Sequence, residues 1–381
     1  MTTAAVLDRH TNAISQACAS PDSVTLFEAT SVHLRKIVGF DGACWFGSDP
    51  TTLLPIVPVR IENVEPQPGQ CELYWHREFL VEDVMLYRRL ARARQPAATL
   101  YATTDGNPAR STRYREFLQP QGYGDELRAV FRVGNATWGL VDLFRDRTRS
   151  PFTARDVETV LALAPVIGTA LRSLALSAAV PTGADGPGTA LYDAAGRLCS
   201  LDERAERWFR ELAGPQWNAD GPERMNDPEN LMTSVNAVLA RAQAIATGRE
   251  RAPASARLRT PTGRWVSAHA SWLRDPDGRK PTHIAVVIEP AKASQIAPII
   301  IEAYSLTPRE QQITRAVARG LSNVEIANEL HLSAHTVRDH VKATFTKVGV
   351  SSRGELTAKL FADHYEPQPH ATDAAVAHVD F

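Results

Sequence analysis

Net charge is nearly absent: 42 lysines and arginines against 43 aspartates and glutamates leave a formal charge of −1 over 381 residues. Any affinity for a polyanion must then come from a local patch, not from bulk charge. Cysteine is scarce as well. Cys18, Cys44, Cys71 and Cys199 stand far apart, with no C-x-x-C pair and no histidine in ligand spacing. That argues against a disulfide scaffold or a zinc site and fits a reducing cytoplasm. No G-x-x-x-x-G-K loop is present, which excludes an ATP-driven switch built on that phosphate cradle. G-x-S-x-G, H-E-x-x-H and paired Asp/His clusters are missing too, so neither a catalytic site nor a cofactor is expected. His331 and His335 are four apart but straddle a turn and a helix start, and do not share one metal-binding face. The chain does not open on a basic-then-apolar leader, and a cytoplasmic location is expected.

Long apolar runs are also missing, with one near exception at 156–180. There Val157, Leu161, Ala164, Ile167, Leu171 and Leu174 fall on one helical face and Glu158, Thr169 and Arg172 on the other, with Pro165 between. A spanning helix needs ~20 mainly apolar residues around its whole circumference. The pattern predicts an amphipathic helix and no membrane partner.

Local punctuation is densest near the C-terminus. Thr307-Pro308-Arg309-Glu310, Ser322 with Glu325, and Ser352 with Glu355 each read as a capping box, the first with Pro at the first helical position. Gly320 supplies the left-handed residue that ends a helix. Ile313, Val317 and Leu321 recur at four-residue steps, and Ile326, Leu330 and Leu332 furnish a second helix and a turn. Val337, Val341, Phe345 and Val348 then form one stripe of a longer helix starting near Ser333. Its opposite face carries His335, Asp339, Lys342, Ala343 and Thr346, flanked by Arg338, Thr336 and Lys347. From Ser333 to Arg353 the bases Arg338, Lys342, Lys347 and Arg353 outnumber the single acid Asp339. A short helix, a turn and a longer amphipathic helix make a shape that fits a DNA major groove.

These residues resemble the LuxR-type helix-turn-helix, a four-helix DNA-binding domain of bacterial transcription regulators. The resemblance rests on Leu306-Thr307-Pro308-Arg309-Glu310, Gly320-Leu321-Ser322-Asn323, Glu325-Ile326-Ala327, Leu332-Ser333, Thr336-Val337, His340, Lys347, Gly349-Val350 and Arg353. It implies that Arg338, Asp339 and Lys342 face base edges or nearby phosphates, and that Thr336 and Lys347 meet phosphates. The full expected DNA-contacting set is Asn323, Ser333, His335, Thr336, Arg338, Asp339, His340, Lys342 and Lys347. Asp339 is a departure, since an acid there repels phosphate unless it accepts from a cytosine amino group. The resemblance further implies double-stranded DNA as partner, a homodimer on two-fold half-sites, a last helix near 353–364 that packs across the dimer, and RNA polymerase as a further candidate partner.

At 381 residues the chain exceeds the ~250–300 that one core supports, so two or three domains are expected. In front, helical patterning over 1–38 is broken at Ser20-Pro21-Asp22-Ser23. Strands follow at 42–46 and 53–57, then a helix over 74–94, a loop near 103–108, and a hairpin of 126–133 with 137–144 around Gly134-Asn135. The closing strand, loop and long helix are similar to the end of a GAF domain. That resemblance implies a six-stranded antiparallel sheet with helices on one face and a small-molecule pocket on the other. A Pro/Gly-rich linker occupies 179–188. Beyond it, strands at 189–192 and 198–201, a helix at 202–212, and strands near 254–260, 264–272 and 281–289 resemble a PAS-like domain. Residues 292–304 read as a helical connector and 366–381 as a disordered tail.

The expected architecture is therefore multidomain: an α+β GAF-like unit (1–178), an α+β PAS-like unit (189–291) and an all-α helix-turn-helix (305–365). A receiver domain controlled by phosphorylation does not fit, because the first 130 residues lack its strand order and hold one lysine, Lys36. The expected function is a cytoplasmic DNA-binding regulator governed by a small molecule or partner. The alternatives are a constitutive DNA-binding protein whose front part only oligomerises, and a sensor-linked enzyme.

Overall fold

The structure is a computed structural model that describes residues 10–16, 23–65, 70–176, 186–213, 231–260, 262–274, 281–304 and 306–361. The expected linker at 179–188 lies largely outside this set, and the expected tail lies wholly outside it.

Two five-stranded antiparallel sheets organise the front. The first holds β1 (Gly42–Ser48), β2 (Pro55–Glu62), β3 (Ala97–Thr99), β4 (Tyr123–Val133) and β5 (Ala136–Asp146) in the order β2-β1-β5-β4-β3. The second holds β6 (Gly188–Asp193), β7 (Leu198–Leu201), β8 (Ser255–Arg259), β9 (Trp265–Arg274) and β10 (Pro281–Pro290) in the order β7-β6-β10-β9-β8. Counted within each sheet, the two orders are the same, 2-1-5-4-3. Among the described residues the first sheet thus has five strands where the GAF resemblance implied six.

Ten helices of more than one turn are described from Ser23 onwards: α1 (Ser23–Ile37), α2 (Gln70–Leu80), α3 (Ala154–Leu174), α4 (Glu203–Ala213), α5 (Leu231–Ala246), α6 (Ala293–Ala303), α7 (Pro308–Ala318), α8 (Asn323–Leu330), α9 (Ala334–Val348) and α10 (Arg353–Phe361). Helix α3 is the long apolar segment. Thr153 and Asp156 close a capping box at its start. By length and composition it is the one described helix that could cross a membrane. Here it lies on β4 and β5, burying Val157, Val160, Leu163, Ala164, Ile167 and Leu171 against Leu127, Phe131, Val141 and Leu143. Glu158, Ala162, Pro165, Thr169 and Ser173 form its exposed stripe, so Pro165 withholds its missing donor on the solvent side.

Three differences from the sequence reading have physical causes. The helix expected over 74–94 ends at Leu80 and resumes as a single turn at Tyr87–Leu90. Met85 between them takes a left-handed backbone, which a continuing helix does not allow. Helix α5 was not foreseen at all. Residues 233–242 are buried on every side, because α5 packs between α2 and β2 of the first unit and β9 and β10 of the second. A helix buried all round, with Thr233, Ser234, Asn236 and Arg241 inside as well as its apolar residues, has no solvated face to reveal its period. The connector, finally, is core: Ile299, Ile300 and Ile301 of α6 are all buried. At 3.6 residues per turn, three consecutive residues sweep about 200° of the helix, so little of its circumference is left to water.

Candidate nucleic-acid interface

Each helix of the C-terminal bundle starts at a capping side chain legible in the sequence. Thr307 accepts from the Glu310 amide while the Glu310 carboxylate accepts from the Thr307 amide (2.7 Å), closing the expected box on α7. Ser322 and Glu325 do the same for α8. At α10 the box is incomplete. Ser352 Oγ accepts from Glu355 N–H, but the Glu355 carboxylate reaches the amide of Ser351 instead.

The stops share a device. Gly320, His331 and Gly349 all have positive φ, and the next amide closes back five residues: Leu321 onto Ala316 O, Leu332 onto Ala327 O (2.8 Å), Val350 onto Phe345 O (3.0 Å). Glycine enters that region without cost, whereas His331 does so with a Cβ. This makes the α8–α9 turn sharp. It was the least visible element of the motif in the sequence.

Helix α9 is fixed by Val337, Val341 and Val348, all buried against α7 and α8. Thr344 is buried with them and Phe345 is only half-buried, so the third position of the expected stripe shifts by one residue. Arg338, Asp339 and Lys342 are exposed on the other side, as are Ser333 and His335. Ser333 caps the helix, accepting from the Thr336 amide (3.0 Å), and its hydroxyl also meets the Thr336 hydroxyl (2.8 Å). His335 Nδ1 and Asp339 lie 3.0 Å apart one turn along the helix. His340 is half-buried.

Two expected contacts are engaged inside the protein. Lys347 Nζ meets the Glu310 carboxylate at 2.6 Å, tying α9 to the start of α7. Burial alone would push the Glu310 carboxyl up, but hydrogen bonds from Lys347 and from the Thr307 amide hold it below the usual carboxylate range. Asn323 Oδ1 accepts from Arg353, which also donates to Leu321 O (2.6 Å). Arg353 therefore clamps α10 to the start of α8. Of the four bases counted on this half, Lys347 alone makes an ion pair among the described residues, Arg353 is held by neutral acceptors, and Arg338 and Lys342 have neither kind of partner there. One further feature escaped the sequence reading: Val324, in the first turn of α8, is 61% exposed, an apolar side chain turned to water.

Comparison with known proteins bears on this segment alone. Residues 304–360 match the family model described as "Bacterial regulatory proteins, luxR family". An HTH-type transcriptional regulator of Mycobacterium tuberculosis (strain ATCC 25618 / H37Rv) is 44% identical over 52 residues, 14% of this chain and 6% of that protein. The HTH-type transcriptional regulator MalT of Yersinia pestis is 40% identical over 58 residues, 15% of this chain and 6% of MalT. The chain thus spans a small fraction of the curated relatives it matches. Among solved structures, the phage VqmA–DPO complex is 18% identical and covers 50% of this chain and 87% of its own, at a TM-score of 0.25. No shared fold follows from that score. Caps, turns, buried stripe and family match coincide, and residues 304–360 are a LuxR-family helix-turn-helix domain.

Proposed function

We propose that this chain is a cytoplasmic, one-component transcription regulator that reads double-stranded DNA through α9. The observation that carries the reading is the geometry of α9 itself. A buried valine stripe holds it on α7 and α8, while Arg338, Asp339 and Lys342 stand exposed on the far side. Such a helix enters a major groove, where Arg338 and Lys342 reach guanine edges or phosphates and Asp339 accepts from a cytosine amino group. Ser333 and Thr336 present hydroxyls at its N-terminus, where backbone N–H groups favour a phosphate. Lys347 has three donors and gives one to Glu310, leaving others for a phosphate. Asn323 and His340 border this surface, and His335 lies beside Asp339 on it.

The two front units, read as GAF-like and PAS-like sensors, hold a small-molecule effector or a protein partner and bias the bundle through α6. The protein acts as a homodimer and influences RNA polymerase, with no catalysis of its own. In this structure α10 packs on α6 of its own chain, burying Leu356 and Leu360. Pairing through α10 must then use its exposed face or release α6.

Selection of bound sequences from a randomised duplex library by the full chain tests the reading. A two-fold symmetric consensus with half-sites about one helical turn apart is the expected result. Recovery of no enriched sequence overturns it.

A further inference from the structure

Strand β3 is only three residues long. It pairs with Leu127–Ala129 of β4, and one more bond, from the Val130 amide to Pro96 O (3.0 Å), ends the ladder. Past that point this edge of β4 has no neighbouring strand among the described residues. Between the open edge, the segment 94–96 and α3 lies a cleft of about 750 Å³, a size that holds a small ligand. Pro96 and, from α3, Leu161 and Pro165 give it apolar walls. Pro165 is exposed and Leu161 half-buried, so a solute reaches these walls from outside.

The charge of this lining has one sign. Arg94 and Arg132 belong to it, and no aspartate or glutamate does among the described residues. Arg132 is held in place: its Nη1 donates to Ala91 O (3.1 Å) and Ala93 O (3.0 Å). Those carbonyls lie just before Arg94, so the guanidinium rests against the wall that 94–96 forms. Both acceptors are neutral, and the charge stays unpaired. Its Nε and Nη2 have no partner among the described residues and are open to water. Nε and Nη2 form one edge of the guanidinium, with the spacing that takes both oxygens of a carboxylate. Arg94 is exposed and makes no hydrogen bond or ion pair among the described residues either.

A solvated surface arginine is ordinarily free to move. Here two backbone acceptors fix one beside apolar walls, so less freedom is lost when it pairs. A cation finds no counter-charge in this cleft, and a phosphate ester would leave charged oxygens against the prolines and Leu161. We propose that the cleft binds an apolar monocarboxylate, its carboxylate accepting from the open edge of Arg132 and its body lying along Pro96, Leu161 and Pro165, with Arg94 adding to the positive field. Helix α3 carries one wall and ends at Leu174, whose carbonyl accepts from Arg259 of β8 in the second unit. An occupant thus touches an element that is tied to both units. This gives the effector reading above a site and a ligand class, and it rests on that reading for its role but not for binding.

The test uses the full chain without DNA, so its outcome is independent of the DNA-binding reading, and an effector bound elsewhere leaves the sensor reading standing if this site fails. Calorimetric titration and melting curves are recorded with naphthalene-2-carboxylate, octanoate and naphthalene-2-carboxamide. At least one carboxylate is expected to bind and raise the melting temperature, with the carboxamide about tenfold weaker or worse. Added salt should weaken the carboxylate, because the pair forms at an open surface. Arg132→Gln should weaken it about tenfold. Gln95→Glu is an isosteric change at an exposed lining position that adds a negative charge to the cleft. It should weaken the carboxylate about tenfold and leave the melting temperature of the unliganded chain unchanged. That variant carries the test if Arg132→Gln does not fold. Failure of both carboxylates to bind overturns the proposal, as does affinity unchanged in Gln95→Glu. Binding of the carboxamide as tight as that of its carboxylate overturns the ligand class.

Discussion

The two front sheets share a strand order and differ in what covers them. In the second, burial alternates along most strands: Ala190, Tyr192, Leu258, Ile284, Val286 and Ile288 point inward between more exposed neighbours, and only the start of β9, Trp265 to Ala268, is buried without a break. The first is covered on both faces. One face, with Trp45, Leu127, Phe131 and Val141, meets α1 and α3. The other carries Glu126, Arg128 and Asp142 at residue exposures of 0%, roofed by Glu78 of α2 and by Arg113. Arg128 bonds Glu78 (3.0 Å), Glu126 (3.2 Å) and Asp142 (2.9 Å), while Arg113 holds Glu126 (2.6 Å). Both Tyr74 and Tyr87 donate to Asp142. Where the GAF resemblance implied a pocket, this face has an ionic network in which two guanidiniums are shared among three carboxylates, with tyrosine hydroxyls completing Asp142. One topology thus supports either a one-sided apolar core or a second, charged interior, provided that each buried charge finds partners.

Removing one guanidinium should break that contrast most severely. Arg128→Met leaves three buried carboxylates to Arg113 alone, and a loss of about 3–5 kcal/mol is expected in denaturant unfolding of the first unit. Glu78→Gln with Asp142→Asn in the same chain should restore part of it, because these two carboxylates lose Arg128 while Glu126 keeps Arg113. A variant Arg128→Met within about 1 kcal/mol of the parent would mean that the network contributes little.

The junction between the sheets comes next. Asp49, fully buried after β1, is held by Arg257 of β8 across the boundary and by the amides of Thr51 and Thr52. Arg257→Met should cost about 2 kcal/mol, less than the network mutant, because three backbone donors remain, the amides of Thr51, Thr52 and residue 257 itself. An equal loss in both mutants would show that the two units unfold as one.

Neither change should touch DNA directly, which separates the front from α9. Arg338→Ala and Lys342→Ala should each weaken binding to a selected duplex by about 1–3 kcal/mol in gel-shift titration, with melting temperature unchanged. Wild-type affinity in both would remove α9 from the groove. Lys347→Ala should lower the slope of log affinity against log salt by about one counterion. An unchanged slope would confine Lys347 to its pair with Glu310.

The smallest effect concerns pH. Because the folded-state pKa of Glu310 is depressed, its contribution is complete above the usual carboxylate range and disappears as pH falls through the lowered value. Melting curves below about pH 4 should show an acid-sensitive loss that Glu310→Gln lacks, while the two proteins converge in slope near neutrality.

Elements with a local signal were legible in the sequence. The hairpin of β4 and β5 around Gly134, the five strands of the second sheet, and the caps and valine stripe of the bundle all announce themselves within a few residues. Features set by distant partners were not. Glu126 and Arg128 alternate with apolar residues as a solvated strand face would, and only the register that sets Arg128 opposite Asp142 makes them interior. Helix α5 lost its period by being buried all round. Lys347 and Arg353 looked like surface bases until Glu310 and Asn323, far off in the chain, were placed beside them.

The four buried isoleucines of α6, Ile296 and Ile299 to Ile301, have a consequence for how such chains recombine. Each fully buried isoleucine contributes about 1.5–3 kcal/mol, and α6 packs against α7 and α10 while sharing a core with the front. A crossover at Ser305, where the family match begins one residue earlier, would strip that helix from the bundle. A bundle transplanted onto another sensor should therefore carry its own α6, with the seam before Ala293. The unit that keeps its core on transfer is then five helices, although the DNA-reading motif occupies four.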